Sequence, residues 1–443
     1  MPRVNLLLAL LFLPLIVGCE GCRRDPDAPP EPKPLPPFTG DPATAFPSDG
    51  TPTSGIKLGH WVTASQPLRS NESDVRGEIV CRAITNSSAS DDGETLSIQG
   101  PLPSTRPVVL PKGQMRRFEY RVLTSLPLSS DLKKVELVNG LMVSTRPVDV
   151  ADMNRFYDVL STEEFYFVIL SERPERFAQF QVSDWVRPYR DQLEFKDPRS
   201  NYRIIIPSTD DLLPLADTVL DWTSTAVLLW DDLSPDALTP QQQTAIADWV
   251  RFGGQLIVNG AEASEAIAKT TLSDLLPLTP SGNIELDPDA GAELLQNWAV
   301  ATDTSTEKQI ALLREQSARV AVDGPLSSDA VAVADSGSLV VTRRVGRGRV
   351  VQTRFDVTSD WLINWQSYDS FVNAVLLSRP PRKLQESGAS VTVQEAPFDT
   401  DPSDLIGGVA IEQIYPTVGV TTVDPAFNSR FHLAARDLLL PIT

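Results

Sequence analysis

Histidine and cysteine are scarce in this chain of 443 residues. It contains two histidines, His60 and His432, and three cysteines, Cys19, Cys22 and Cys81. Structural zinc sites gather several such ligands, and most acid–base catalysis uses histidine. The composition therefore excludes a multi-histidine or cysteine-rich metal site, and we assign neither metal ligands nor a cofactor.

Positive charge is also lacking. Lys and Arg total 39 against 58 Asp and Glu, so the formal net charge is −19. A surface this acidic repels phosphate backbones, and no basic run offsets it. We therefore exclude nucleic acid as a partner.

A long apolar run is missing as well. Residues 6–17 form an unbroken apolar stretch of 12 residues, whereas a helix that spans a bilayer needs about 20. With Arg3 before it and small residues at its end, the stretch predicts a secretory leader. A leader that is cleaved in the ordinary way and an uncleaved anchor both remain open at this point.

The end of the leader, Leu15-Ile16-Val17-Gly18-Cys19, resembles the lipobox of bacterial lipoproteins. The resemblance implies that residues 1–18 are a signal peptide and that Cys19 becomes the first mature residue, acylated with chains such as palmitate. Two or more acyl chains anchor a protein stably. The resemblance thus implies membrane attachment through the N-terminal lipid, in the cell envelope and facing the periplasm. Glu20 favours the outer over the inner membrane without deciding between them.

Proline is concentrated just after the leader, with ten prolines between Asp25 and Ser54. Such a segment cannot bury enough apolar surface to offset the entropy lost on ordering. We predict a disordered tether over residues 19–55, with a reach of about 100 Å at ~3.1 Å per residue. It is either a stalk that lifts the folded part off a membrane or a segment without a function.

Residues 56–150 carry short alternating segments separated by turn residues. Four of them predict strands: Glu78–Ile84, Arg106–Leu110, Arg117–Leu123 and Lys134–Val138. This spacing is typical of an antiparallel β-sandwich. Cys81 has the same parity as Ile79 and Ala83, so we expect its thiol to lie in the core.

Residues 151–385 change to continuous apolar runs, which are typical of parallel strands covered on both faces. The predicted strands are Phe165–Leu170, Tyr202–Ile206, Ala226–Trp230 and Gln255–Val258, and a hairpin turns at Gly346. Helices are predicted from Thr239 to Gly253, from a cap at Thr304, and over residues 361–378. The fold class is therefore α/β, preceded by an all-β sandwich. Residues 386–443 are predicted to be a partly irregular extension that ends in a short helix.

The order of elements between residues 226 and 260 is strand, acidic turn, capped helix, Gly-Gly, strand and Asn259-Gly260-Ala261. With the strand that precedes Phe355-Asp356-Val357, this order resembles the class I glutamine amidotransferase-like fold of uncharacterised bacterial envelope proteins. The resemblance implies a flavodoxin-like parallel sheet flanked by helices. Active members carry a Cys at the elbow that Asn259-Gly260-Ala261 occupies here, and a His and a Glu where Phe355-Asp356-Val357 stands. Loss of the nucleophile alone abolishes such chemistry, so we assign no catalytic residues.

Polar side chains follow the predicted parallel strands, at the sheet edge where α/β proteins bind ligands. They are candidates for binding a ligand or an ion: Ser171, Glu172, Asp210, Asp231, Asp232 and Asn259. Carboxylates there suit Ca²⁺ or Mg²⁺, but Asp and Ser also cap turns in most such folds.

The sequence therefore predicts a lipid-anchored envelope protein that binds or scaffolds a partner, most simply another envelope protein, without catalysis. One alternative is a hydrolase of an envelope glycan or peptide that works through Asp210, Asp231 and Asp232. Another is a purely structural subunit of a membrane complex.

Overall fold

The computed structural model describes residues 35–51, 55–87, 97–99, 102–124, 132–150, 152–161, 164–183, 185–186, 200–208, 212–300, 303–315, 319–379, 382–387 and 390–395. The chain is a mixed α/β protein in which antiparallel sheets predominate and helices are few. The predictions for the leader, Cys19, Asp210 and the C-terminal helix lie outside these residues.

In the first part of the chain, the named elements among the described residues are antiparallel strands. Its strands are β1 (Phe38–Gly40), β2 (Thr44–Ala45), β3 (Trp61–Ser70), β4 (Val75–Ser87), β5 (Ser97–Gln99), β6 (Ser104–Leu110), β7 (Met115–Leu123), β8 (Leu132–Val143), β9 (Arg146–Val148) and β10 (Arg155–Asp158). In one sheet β3 pairs with β1, β2 and β7. In the other, β4 pairs with β5, β6 and β8, and β8 also pairs with β9 and β10.

Both antiparallel sheets contribute to one hydrophobic core. Alternate residues of β4, which are Ile79, Cys81 and Ala83, are buried against Ala64 of β3 and Val122 of β7. This confirms the core position predicted for Cys81, and burial raises the pKa of its thiol to about 12. The thiol is therefore protonated at neutral pH and is a poor nucleophile.

The structure corrects the predicted tether over residues 19–55. β1 and β2 lie inside that range and pair with β3, and Ala43, Ala45 and Phe46 are buried. The high proline content outweighed these few apolar side chains in the prediction. Their partner strand, β3, lies more than fifteen residues further along the chain. β10 likewise lies beyond the expected boundary at residue 150, since it pairs with β8.

The second part of the chain is organised around a seven-stranded sheet. Its strands and helices are β11 (Phe165–Leu170), β12 (Tyr202–Ile205), β13 (Thr225–Trp230), α1 (Pro240–Phe252), β14 (Gln255–Val258), α2 (Gly260–Ala268), β15 (Gly282–Glu285), α3 (Pro288–Trp298), α4 (Thr306–Glu315), β16 (Val320–Asp323), β17 (Ala330–Ala332), β18 (Val340–Val345), β19 (Gly348–Thr353), α5 (Asp360–Ile363) and α6 (Tyr368–Phe371). A π-helix (Val372–Leu376) follows α6, and β20 (Arg382–Ser387) and β21 (Ser390–Glu395) form a separate hairpin.

The strand order of this sheet is β12-β11-β13-β14-β19-β18-β17. The first five strands in that order are parallel, and β18 and β17 are antiparallel additions. Two hydrophobic clusters cover its two faces: Phe167 and Ile169 of β11 belong to one, and Val168 and Leu170 to the other. Burial on both faces explains the uninterrupted apolar runs in the sequence.

The local signals for α1 are confirmed. Thr239 accepts a hydrogen bond from the backbone N–H of Gln242, whose side chain accepts from the N–H of Thr239 in return. This is a capping box, a common device at helix N-termini. Gly253 ends the helix with a φ of 139°, which a glycine adopts without steric cost.

Two helix predictions are wrong in detail. Asp303, and not Thr304, caps α4, since its Oδ1 accepts hydrogen bonds from the backbone N–H groups of Ser305 and Thr306. The helix predicted over residues 361–378 is interrupted between α5 and α6, where the Ser367 hydroxyl donates to Asp303. The contact between these two loops is distant in sequence, so the apolar periodicity did not reveal the break.

An ion pair joins the two parts of the chain. Arg121 of β7 donates to both oxygens of Asp221, from Nε at 2.7 Å and from Nη2 at 3.0 Å. The Thr63 hydroxyl donates to the same carboxylate at 2.8 Å, and the side chain of Asp221 is fully buried. Burial raises the pKa of Asp221, although Arg121 and Thr63 oppose the rise. The junction thus contains a buried charge that one arginine neutralises.

We predict that Arg121→Ala lowers the free energy of unfolding by about 1–3 kcal/mol, because it leaves the buried Asp221 carboxylate without its cation. Arg121 is partly exposed, so solvent screening limits what the ion pair contributes. Urea denaturation of the variant and of Arg116→Ala, an exposed residue on the same strand, measures the effect. Adding Asp221→Asn to Arg121→Ala should restore part of the loss, and a further loss in the double variant would contradict this account.

Candidate functional site

The candidate residues follow the carboxyl ends of neighbouring parallel strands. The register aligns Leu170 at the end of β11 with Trp230 of β13, and Trp230 with Val258 of β14. Val258 in turn pairs with Gln352 of β19. The side chains that follow these strand ends therefore meet at one edge of the sheet, and four of the predicted residues join a single hydrogen-bonded network: Ser171, Asp231, Asp232 and Asn259.

Asp231 lies at the buried centre of this network, with a side chain only 4% exposed. Its Oδ1 accepts from Asn259 Nδ2 at 2.7 Å, and its Oδ2 accepts from Ser171 Oγ at 2.9 Å and from Arg176 Nη1 at 3.1 Å. Burial raises the pKa of Asp231 to about 6, while Arg176 and Asn259 oppose the rise. Both carboxylate oxygens are thus engaged by protein donors.

The pKa of Asp232 is shifted in the opposite direction from the pKa of Asp231. Burial acts to raise the pKa of Asp232, but hydrogen bonds from Arg173, Ser171 and the backbone N–H of Glu172 outweigh burial and hold it below its usual value. The Ser171 hydroxyl lies 2.8 Å from Asp232 Oδ1, close to its distance from Asp231. One hydroxyl proton therefore serves two carboxylates, and it satisfies only one of them at a time.

Two arginines absent from the predicted site neutralise these carboxylates. Arg173 pairs with Asp232 and, at 2.6 Å, with Glu262 on α2. Arg176 pairs with Asp231 and with Asp356, which follows β19. The sequence signal for both is the Arg-x-x-Arg spacing directly after the polar end of β11. Arg173 lies at the N-cap of the 3₁₀-helix over Pro174–Val182 and Arg176 lies in its first turn, so both side chains stay near the strand end.

The turn from β14 into α2 forms a tight elbow. Gly260, the first residue of α2, has a φ of +70°, and a Cβ at this position would lie 3.3 Å from the Phe355 carbonyl. Asn259 spans the elbow and the loop after β19. Its Nδ2 donates to Asp356 Oδ1 at 3.2 Å, and its Oδ1 accepts from the Val357 backbone N–H at 2.9 Å. Glycine is needed here for both the left-handed φ and the close approach.

The side chain of Glu172 makes a different contact from those of the other predicted residues. Its backbone N–H donates to Asp232, but its Oε1 accepts from the Ser234 backbone N–H at 3.2 Å, before the short 3₁₀-helix over Pro235–Ala237. The side chain thus supports the loop after β13, as a turn-capping role would have it. Asp210 lies outside the described residues.

The occupied oxygens limit what this edge of the sheet can bind. The side chains of Asp231 and Asp232 are at most 8% exposed and are held by cations. Within the part of the chain that the structure describes, no three His, Cys, Asp or Glu side chains are grouped to hold a metal ion. The arrangement has the chemistry of a closed salt-bridge network that ties four strand ends together.

No protein-family model and no curated protein matches the chain. Among solved structures, a cytoplasmic protein from Salmonella typhimurium is 14% identical with a TM-score of 0.28, over 39% of this chain and 79% of that protein. The sporulation control protein Spo0M from Bacillus subtilis is 11% identical with a TM-score of 0.21, over 28% of this chain and 49% of its own. An exo-β-1,4-mannosidase from an Opitutaceae bacterium is 20% identical with a TM-score of 0.22, over 39% of this chain and 28% of the enzyme. Similarity at this level identifies neither a fold nor an activity.

None of the helices in the described ranges has both the length and the apolar character that crossing a membrane requires.

We predict that Asp231 makes the stability of the protein depend on pH between about 7 and 4. Its folded pKa of about 6 lies above the value in the unfolded chain, so the folded state takes up a proton first as the pH falls. Relative to Asp231→Asn, the wild-type protein should gain about 1–3 kcal/mol in unfolding free energy from pH 7.5 to 4.5. Urea denaturation across this range measures the difference.

Asp232→Asn is the matched control, because the folded pKa of Asp232 is lowered. Its stabilising contribution is complete above the unfolded pKa and is lost only as the pH falls below about 4. The difference between this variant and the wild type should therefore change less from pH 7.5 to 5 than the difference for Asp231→Asn, because Asp232 acts in this range only through its contribution to the raised pKa of Asp231. A difference for Asp231→Asn that stays constant across this range would refute the titration assigned to Asp231.

Proposed function

We propose that this chain is a lipid-anchored, periplasm-facing envelope protein whose α/β part is a non-catalytic, amidotransferase-like domain that binds or scaffolds an envelope protein. The observation that carries the non-catalytic part is the composition of the elbow after β14. Asn259 and Gly260 stand there without a nucleophile, and the surrounding carboxylates are closed off by Arg173 and Arg176.

The strand order supports an amidotransferase-like fold. Numbered by their order in the chain, the parallel strands follow the sequence 2-1-3-4-5, which is the order of flavodoxin-like sheets. The elbow precedes a helix, as the nucleophile turn does in active enzymes of related architecture. The loop after β19, where active members carry His and Glu, lies directly against Gly260. In the first part of the chain, the two antiparallel sheets that share one core support the proposed β-sandwich.

Among the described residues near the elbow, Ser264 is not a substitute nucleophile. The Ser264 hydroxyl is fully buried, donates to the Gly260 carbonyl at 2.6 Å and accepts from Gln352 at 2.9 Å. A serine nucleophile needs a base within reach and access to substrate. Ser264 instead anchors the first turn of α2 to β19.

Binding or scaffolding fits a domain whose strand ends are locked together. Arg176 and Asn259 each contact residues that follow two different strands, so the edge of the sheet is fixed before any partner arrives. A preorganised surface loses little entropy on association. The alternative is a purely structural subunit of a membrane complex, which has the same requirements. Such a subunit should co-purify with its partners from detergent extracts, and recovery as a lone monomer would count against it.

The lipid anchor is tested by replacing Cys19. In a bacterial host, the wild-type protein should be extracted from membranes only by detergent, and its N-terminal peptide should carry acyl chains. Cys19→Ala should abolish acylation, because the acceptor thiol is gone, whereas the matched variant Cys22→Ala should behave as the wild type. An unmodified thiol at Cys19 in the wild-type protein would refute the anchor.

One observation favours a carboxylate-dependent hydrolase of an envelope polymer. The pKa of Asp231 is raised and that of Asp232 is lowered, and such divergence marks acid–base pairs in glycosidases. Against this function, both side chains are buried and bonded within the protein. The observation therefore supports the hydrolase only as a second candidate.

We expect no turnover of peptidoglycan or its peptides by the purified protein above that of Asp231→Asn, because Asp231 has no oxygen free to meet a substrate. Release of soluble fragments measures turnover, and Asp236→Asn, in the turn after β13, serves as control. Hydrolysis that is lost in folded Asp231→Asn and retained in Asp236→Asn would establish the hydrolase instead.

A further inference from the structure

The first β-rich part has two ends with different attachments. The chain enters at one end, where Phe38 of β1 pairs with Ser70 at the end of β3 and the Asn71 backbone N–H donates to the Pro37 carbonyl at 2.9 Å. The α/β part is attached at the other end, where His60 Nδ1 lies 2.9 Å from Thr223 Oγ1. β3 has ten residues and so separates the two ends by about 30 Å.

Three turns meet at the end where the chain enters. The pairing of Gly77 with Val143, of Val75 with Leu110 and of Arg69 with Met115 brings them together. We name this end the entry tip and define it as residues 35–38, 70–76, 110–116 and 143–146.

The entry tip is basic in a protein that is otherwise strongly acidic. It carries four exposed basic side chains, Arg76, Lys112, Arg116 and Arg146, against two acidic ones, Glu72 and Asp74. The net charge of the whole chain is −19. Apolar side chains are exposed beside these charges, with Leu35 65% and Met115 49% exposed. Basic and apolar side chains together are the composition of surfaces that rest on anionic lipid.

We propose that the entry tip binds anionic phospholipid headgroups and faces the membrane to which Cys19 is attached. This inference rests on the lipid anchor of the proposed function. Leu35 lies 16 positions after Cys19, so at most about 60 Å of extended chain separates the lipid from the tip.

Electrostatics favour contact between the membrane and the tip over contact with other surfaces of the protein. The rest of the molecule is acidic and is repelled by an anionic surface, whereas the tip is attracted to it within about one Debye length, ~10 Å. Contact through the tip holds the α/β part at the far end of β3, away from the lipid. Under the proposed function, the α/β part then lies on the periplasmic side of the tip.

Binding to vesicles without the lipid anchor tests the tip itself. The mature chain from position 19, with Cys19→Ala, is mixed at low salt with vesicles of phosphatidylcholine alone or with phosphatidylglycerol added, and sedimentation measures binding. We expect preference for the anionic vesicles, and a loss of about tenfold or more when Lys112→Glu, Arg116→Glu and Arg146→Glu are combined.

The matched control reverses three exposed charges in the α/β part, Lys269→Glu, Lys308→Glu and Arg344→Glu, which give the same net charge. It should retain binding within about twofold, because these residues lie away from the tip. Equal loss in both triple variants, or no preference for anionic vesicles, would overturn the proposal. Acylated Cys19 with an inert tip would leave the anchor standing and reject this surface, whereas unmodified Cys19 with loss confined to the tip variant would support the surface and reject the anchor.

Discussion

The carboxylate of Asp231 is buried at the end of a central strand, and the surrounding arrangement follows from the need to compensate that charge. A buried charge is costly unless it is paired and hydrogen-bonded. Arg176 provides the cation from the turn after β11, and Asn259 provides an amide from the end of β14. Both residues also reach Asp356 after β19. Neutralising one side chain thus joins four strand ends, and it uses the hydrogen-bonding capacity that a substrate or ion would need.

The same rule operates where the two parts of the chain meet. Asp221 is fully buried and paired with Arg121, and Lys57 donates to the Glu164 carbonyl at 2.7 Å. In a chain with 58 acidic and 39 basic residues, cations placed on internal partners leave the remaining surface strongly negative. Against that background, a group of exposed basic side chains is informative. The entry tip has four of them, Arg76, Lys112, Arg116 and Arg146, within three neighbouring turns.

Local patterns in the sequence were sufficient for elements that are defined by their own residues. The apolar runs located β11 and β14 to the residue because both faces of those strands are buried, and Thr239 located the start of α1. Elements that depend on distant partners were not found. β1 and β2 need β3, and the break between α5 and α6 needs Asp303. The same distinction holds for the candidate site. The positions of the strand ends were enough to predict that Asp231, Asp232 and Asn259 lie together. The ion pairs that Arg173 and Arg176 make with the carboxylates depend on the path of a 3₁₀-helix, and no periodicity in the sequence encodes that path.

The elbow after β14 shows how a glycine turn brings together the groups around a buried charge. A side chain held at positive φ costs of order 1–3 kcal/mol, which an enzyme tolerates because the strain aims its nucleophile. Gly260 adopts the same φ without that cost and lets the loop after β19 approach within van der Waals contact. That approach is what allows Asn259 to reach both Asp356 and the backbone of Val357. A residue with a Cβ at position 260 would be strained by the positive φ, and its Cβ would lie 3.3 Å from the Phe355 carbonyl. The donors around the buried Asp231 carboxylate are therefore arranged at the close approach that glycine permits.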